Sequence, residues 1–303
     1  MFVINPDPFL LPAYRISPFK TDYVGFNSNL PADEFSLQYL NEKFGLGNWM
    51  FTFNGREAIK LALDTYSLQP TDVVTILTTS QNLYISSCVT NTIETFCRWN
   101  REIVPETKII FVNHEFGYPY PEMEKLVATG LPIIEDCCTT FYSQDENKKI
   151  GKYGDFSLYS LPKFFPIQIG GIIVNNTNSK QLKKSILKPN EITYIQNLVS
   201  HQLKKEDILL LKRKENYDYA VTQFSSLGFS PRFGCNESIV PSALLLNNNT
   251  IIKDLNALKT LLTLHGIQCS VFYGEDAFFI PIHQNLTRFD LDYFKYHIYS
   301  LIN

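Results

Sequence analysis

Two hydrophobic rhythms alternate along the first half of the chain. One consists of short runs with apolar residues on both faces: VVTILTT (73–79), KIIFVNH (108–114), LPIIEDCC (131–138), DFSLYSL (155–161) and GGIIVNN (170–176). Such runs are the mark of strands covered on both sides. Between them GREAIKLALDTY (55–66) places Ala58, Leu61, Ala62 and Tyr66 on one side of a helix, and YISSCVTNTIETFCRW (84–99) and PYPEMEKLVATG (119–130) read as further helices. Strand alternating with helix predicts an α/β fold, a mainly parallel sheet under helices. After about residue 178 the rhythm changes to one long helix, 200–228, and then to a mixed tail that includes LNALKTLLTLHGIQCSVFY and DLDYFKYHIYSLI. We therefore expect a large domain over residues 1–224, including the bridging helix, and a small C-terminal α+β domain over 225–303.

Composition narrows the function. A chain of 303 residues, 45% hydrophobic, can bury the core of one large and one small domain. No window approaches the roughly 18 unbroken apolar residues that span a bilayer, and MFVINPDPFLLPAYR lacks a basic stretch before an apolar one, so a cytoplasmic location without membrane insertion is expected. A formal net charge of −3 with no concentrated basic run argues against nucleic acid as a partner. The charged stretches LKKEDILLLKRK and KRKENYDY read as the solvated face of a helix. The six cysteines (Cys88, Cys97, Cys137, Cys138, Cys235, Cys269) are scattered and read as reduced packing residues. No CxxC or HxxxH spacing supports zinc, and no metal is expected.

Three features fall where open α/β sheets gather ligands, beyond the carboxyl ends of strands. Asp136 ends the apolar run LPIIED, where a carboxylate needs a partner to offset its desolvation; by itself it also fits a helix cap or a solvated strand end. Lys163 follows DFSLYSLP and precedes FFPIQIGG. It fits a snorkelling surface lysine, but an amine in apolar company also has the lowered pKa that a Schiff-base nucleophile needs. FNGREAIKLAL sets a glycine at the start of a helix, whose N-terminal N–H groups suit a phosphate; a plain turn glycine would look the same. Together the three meet the needs of pyridoxal 5'-phosphate (PLP): a lysine for its aldehyde, a carboxylate for its ring nitrogen and a cradle for its phosphate.

These residues resemble the DegT-like (StrS-type) sugar aminotransferases. TFNGREAIKLAL is similar to that family's sGTxALxLAL segment, LPIIEDCCTTFYS to its lpviEDaAqahGa, and in IGKYGDFSLYSLPKFFPIQIGGIIVNN the lysine stands seven and eight residues before a glycine pair, as in the family. The likeness continues through QLKKEDILLLKRKENYDYA, similar to the helix after the site, and FIPIHQNLTRFDLDYF near the C-terminus. The resemblance implies PLP fold type I, a three-layer αβα sandwich like that of aspartate aminotransferase. It further implies that Lys163 is the Schiff-base residue and the base that moves protons, and that Asp136 pairs with the pyridine nitrogen. Gly55, Arg56 and either Ser157 or Ser160 would hold the phosphate; Thr139 stands where the family carries a ring-hydroxyl contact, and Tyr84 near its stacking aromatic. Arg56 equally fits a helix-surface arginine, and Tyr84 a core tyrosine. The glycine pair, Gly170 and Gly171, is expected to let the backbone pass close beside the cofactor.

The expected activity is transfer of an amino group, from glutamate, to a keto-sugar, nucleotide-linked, by a homodimer with sites at the subunit interface. Two alternatives stand beside it: PLP chemistry on a small amino acid, with Arg232 in SPRFG clamping a carboxylate, and a catalytically reduced binding or assembly subunit. The chain departs from the family where ILKPNEITYIQNLVS (186–200) replaces its GyNxRm element, and its short N-terminal segment and small domain imply a trimmed substrate pocket.

Overall fold

A computed structural model describes residues 13–177 and 179–302. The strands are β1 (Trp49–Thr52), β2 (Val73–Thr78), β3 (Arg98–Asn100), β4 (Thr107–Asn113), β5 (Ile133–Asp136), β6 (Phe156–Ser160), β7 (Gly171–Asn175), β8 (Ser230–Pro231), β9 (Ala243–Asn247), β10 (Ser270–Val271) and β11 (Ala277–Pro281). The helices are α1 (Tyr23–Ser28), α2 (Phe35–Phe44), α3 (Gly55–Leu63), α4 (Ser87–Ile93), α5 (Met123–Val127), α6 (Pro189–Leu203), α7 (Glu206–Ser225), α8 (Leu255–Leu264) and α9 (Arg288–Tyr299). Seven strands form one sheet in the order β1-β7-β6-β5-β4-β2-β3. Its β3-β2-β4-β5-β6 section is parallel, and β7 and β1 add antiparallel edges. Strands β8–β11 form a second, antiparallel sheet.

The sheet is covered on both faces because its strands are apolar on both. Ile109, Ile110, Phe111 and Val112 of β4 are all fully buried. Phe156, Leu158 and Ile173 pack with Ala58, Leu61 and Ala62 of α3 and Val89 of α4. Tyr159, Ile172 and Val174 face the other way, against Leu40 of α2 and Ile195 and Leu198 of α6. Helix, sheet and helix make the expected three layers.

Several sequence expectations need correction. The helix expected over 84–99 is only α4, followed by strand β3. Thr90, Thr92 and Thr95 turn their hydroxyls back onto main-chain carbonyls, a local competition that disfavours long helices. The helix of 119–130 shrinks to the five residues of α5, bounded by prolines before it and by Gly130 at φ +73° after it. The single helix of 200–228 belongs to two: His201 and Lys204 end α6 and Glu206 and Asp207 begin α7, so the charges suit two dipole ends meeting at residue 205. The solvated-face reading of KRKENYDY holds for Lys212, Lys214, Glu215 and Asp218, but Arg213, Asn216 and Tyr217 are buried. The packing reading of the cysteines holds for Cys97, Cys137 and Cys269; all six are free thiols, but Cys88 and Cys235 are exposed. No described helix is long and apolar enough to cross a membrane.

Candidate active site

Parallel strands bring their carboxyl ends to one edge of the sheet, and Asn113, Asp136 and Ser160 are the last residues of β4, β5 and β6. Beside them the turn from β1 delivers the N-terminus of α3. Asn54 caps that helix, its side-chain oxygen accepting the Glu57 N–H at 3.0 Å, which leaves the first N–H groups of the helix without intrahelical partners. The residues enclose a cavity of about 330 Å³, with Gly55, Arg56, Asp136, Ser160 and Lys163 in its wall.

Asp136 is buried and has only neutral donors: Asn113 Nδ2 at 2.7 Å on Oδ2 and the Cys138 N–H at 3.1 Å on Oδ1. A carboxylate in the cavity wall with no cationic partner among the described residues is suited to a protonated ring nitrogen. Gly55 supplies space, because a Cβ there would stand 3.1 Å from Cys138 Sγ and 3.9 Å from Ser160 Cβ. These observations fit PLP.

Lys163 ends a 3₁₀ turn, Leu161–Lys163, whose following residues Phe164, Phe165 and Ile167 are fully buried. The lysine is half-buried rather than enclosed. The glycine pair fastens this turn to the segment that leads into α3: Gly170 N–H donates to Phe53 O at 2.7 Å and Gly170 O accepts from Leu161 N–H at 3.1 Å. Gly170 has φ +110°. A Cβ on Gly171 would meet Thr52 Oγ1 at 2.6 Å and the main chain of Asn54 and Tyr159 at 2.9 Å. The close approach at Gly171 is between backbone segments, and neither glycine is in the cavity wall.

Gly55, Arg56, Tyr84, Asp136, Thr139, Ser160 and Lys163 thus border one cavity, and Ser157 does not. Ser157 is on the opposite face of β6 from Ser160 and fully buried near Gly151, so of the two serines it is Ser160 that borders the cavity. Arg56 is exposed at the rim. Thr139 spends its hydroxyl on the backbone, donating to His114 O at 2.8 Å and accepting from Gly117 N–H at 3.2 Å. Tyr84 is both wall and core: it stacks on Phe116 at 6.1 Å and packs against Phe272 and Phe279, and burial raises its hydroxyl to about pKa 12. Phe116 and Asn113 also line the cavity; neither carries a charge or stands in a motif that would single it out in the sequence.

Two other clusters are structural. Arg232 forms an ion pair with Glu275, lies over the Phe272 ring at 4.5 Å and is absent from the cavity wall, which removes the carboxylate clamp of the small-amino-acid alternative. His114, Glu135 and Cys137 gather in the interior. Glu135 accepts the N–H groups of Gly151, Tyr153 and Gly154. His114 Nδ1 accepts the Tyr120 N–H at 2.9 Å, so its Nε2 carries the hydrogen and faces Glu135 as a donor. That arrangement is a buried hydrogen-bond network.

Residues 96–191 match the DegT/DnrJ/EryC1/StrS aminotransferase family. An 82-residue stretch is 34% identical to the GDP-perosamine synthase of Escherichia coli O157:H7, covering 25% of this chain and 22% of that protein's length. The fold of the whole chain is shared more widely. Helicobacter pylori PseC, an aminotransferase involved in the biosynthesis of pseudoaminic acid, superposes with a TM-score of 0.68 at 18% identity over 95% of this chain and 99% of its own. NtdA from Bacillus subtilis with bound PMP does so with a TM-score of 0.69 at 17% identity, over 99% and 86%. Residues 96–191, which carry Asp136 and Lys163, are thus similar to the DegT/DnrJ/EryC1/StrS aminotransferase family, and the whole chain shares the fold of PseC and NtdA.

Proposed function

We propose that this chain is a sugar aminotransferase that takes an amino group from glutamate and passes it to a nucleotide-linked keto-sugar, in surface-polysaccharide or related sugar biosynthesis. The observation that carries the proposal is the convergence of Lys163, Asp136 and the N-terminus of α3 on a single cavity. The similarity to a GDP-perosamine synthase and to PseC supports a sugar as acceptor.

When bound, PLP supplies an aldehyde for amines to join and a ring that takes up the electrons left when an α-proton departs. Asp136, held by the neutral donors Asn113 Nδ2 and Cys138 N–H, would face the ring nitrogen and favour its protonated form. The Gly55 and Arg56 N–H groups and the Ser160 hydroxyl offer donors to the phosphate. Lys163 Nζ would be the amine that holds the cofactor's aldehyde carbon and, when free, the general base and acid that moves a proton beside it. We further propose a cytoplasmic homodimer, on the resemblance to the family.

The test is the visible absorption of the purified protein with PLP beside that of Lys163→Ala, each with and without glutamate, followed by nucleotide keto-sugars as acceptors and mass spectrometry of the product. A visible band lost in the variant, bleached by glutamate and restored by one acceptor class supports the proposal. No band in the wild type overturns it, and a band that glutamate leaves unchanged overturns the choice of donor.

A further inference from the structure

The main chain that follows Lys163 is held in an unusual way. The 3₁₀ turn closes with the Phe164 and Phe165 N–H groups on Leu161 O, so the carbonyls that come next have no partner within the turn. Side chains from three distant elements supply them. Arg213 Nη2 of α7 donates to Lys163 O at 3.3 Å, Gln284 Nε2 after β11 donates to Phe164 O at 2.7 Å, and Asn27 Nδ2 of α1 donates to Pro166 O at 2.8 Å. The three side-chain anchors are almost fully buried, Arg213 at 1% exposure.

Arg213 and Gln284 also bind each other, Arg213 Nη2 donating to Gln284 Oε1 at 2.8 Å, and Arg213 Nη1 donates to Pro241 O at 3.1 Å. The guanidinium lies over the ring of Phe164, 4.8 Å from its centroid. Among the described residues it forms no salt bridge with a carboxylate. Burying an arginine without a counter-ion is costly, and a Leu or Met of similar volume would fill the same space at less cost. Each of its named hydrogen bonds goes to a neutral oxygen, and two of those oxygens belong to the lysine turn or to the glutamine that holds it.

We propose that Arg213, with Gln284, is a positioning residue for Lys163: the pair fixes the main chain on the carboxyl side of the lysine, so that Nζ is the one mobile part of the turn and is aimed into the cavity. This rests on the PLP reading above. A reacting nitrogen displaced by an ångström loses on the order of a hundred-fold in rate, so the pair sets how fast Lys163 joins the cofactor and has little effect on how tightly the phosphate cradle holds it.

The experiment separates those two quantities. Wild type, Arg213→Met, Arg213→Lys and Gln284→Met are checked for folding by circular dichroism and a denaturation midpoint, then mixed with saturating PLP. Bound PLP is counted after gel filtration. In parallel, borohydride is added at timed intervals: condensation of Nζ with the aldehyde carbon, with loss of water, gives a carbon–nitrogen double bond that hydride reduces to a stable adduct, weighed on the Lys163 peptide. The expected result is near-normal PLP occupancy with adduct formation slowed at least about ten-fold in Arg213→Met, less in Arg213→Lys. Gln284→Met, which leaves the guanidinium in place, is expected to be slowed as well and decides the matter if Arg213→Met does not fold. Folded variants that form the adduct at the wild-type rate overturn the proposal. Occupancy and adduct falling together with the folded fraction also overturn it, leaving a purely structural arginine. If the wild type forms no adduct at Lys163, the PLP reading itself falls and takes this proposal with it.

Discussion

Asn113 and Asp136 are opposite one another in the β4-β5 register, and the Asn113 amide donates to Asp136 Oδ2 at 2.7 Å. The amide therefore does for this carboxylate what a cation could not: it fixes the oxygen and leaves the charge unneutralised. A hydrogen bond to a charged group is worth about 1.5–3 kcal/mol. Asn113→Leu should weaken PLP binding by roughly ten- to a hundred-fold, read by absorbance titration. Asn113→Asp should weaken it further, because two carboxylates side by side raise one another's pKa and one of them takes a proton.

The glycine pair gives a prediction about the scaffold. In Gly171→Ala the new methyl would meet main-chain atoms of Asn54 and Tyr159 at 2.9 Å, and backbone cannot step aside as a flexible side chain can. The expected loss is about 1–3 kcal/mol or more, measured by chemical denaturation. Gly25→Ala is the contrast. It is in α1, nothing stands within 4 Å of its Cβ position, and alanine should gain about 0.5–1 kcal/mol there.

Much of the site was legible because it breaks a pattern. Asp136 and Lys163 are charges set in apolar runs, and the strands β4 to β7 are apolar on both faces, so both the sheet and its reactive edge show in the hydropathy. Asn113 does not show, because a neutral polar residue at the end of a strand looks like the end of a strand. Arg213 was hidden for a different reason. The buried stripe of α7 runs Leu209, Arg213, Asn216, Tyr217, Ala220, Phe224, a helical spacing in which an arginine and an asparagine occupy core positions. Read by polarity it is a solvated face; only the carbonyls supplied by distant segments make those positions interior. The edge strands β1 and β3 are four and three residues long, too short for a periodicity, and exist because β7 and β2 offer them free edges.

Acid should destabilise the fold through His283. Burial, with the charges of Arg213 and Lys20 adding to it, pushes this imidazole down to a pKa of about 3, and its Nδ1 accepts the Asn285 N–H at 3.2 Å, as a neutral ring can. The unfolded chain binds a proton at this site below about pH 6.5 and the folded chain does not, so stability is intact above that pH and is lost as pH falls from about 6.5 toward about 3, by up to about 1.4 kcal/mol per pH unit. Carboxylates titrate in the lower part of that window, so the measurement is the difference between wild type and His283→Gln in denaturation midpoints from pH 7 to 4. The variant should show the shallower decline; equal slopes would mean that His283 is protonated in the folded protein.

Cysteine chemistry offers a probe of the cavity that needs no substrate. Cys88 and Cys235 are the exposed thiols. Cys88 borders the cavity that holds Lys163 and Asp136, and Cys235 is outside that wall. Cys138 also reaches the cavity, but burial first and the neighbouring Asp136 second hold its thiol well above the ordinary range, so little reactive thiolate forms there. A maleimide should therefore label Cys88 and Cys235 first. Pre-incubation with PLP should slow labelling at Cys88 several-fold and leave Cys235 unchanged, read by peptide mass spectrometry. Equal protection at both sites would point to a global tightening of the fold, and no protection at either would mean that PLP binds away from this cavity.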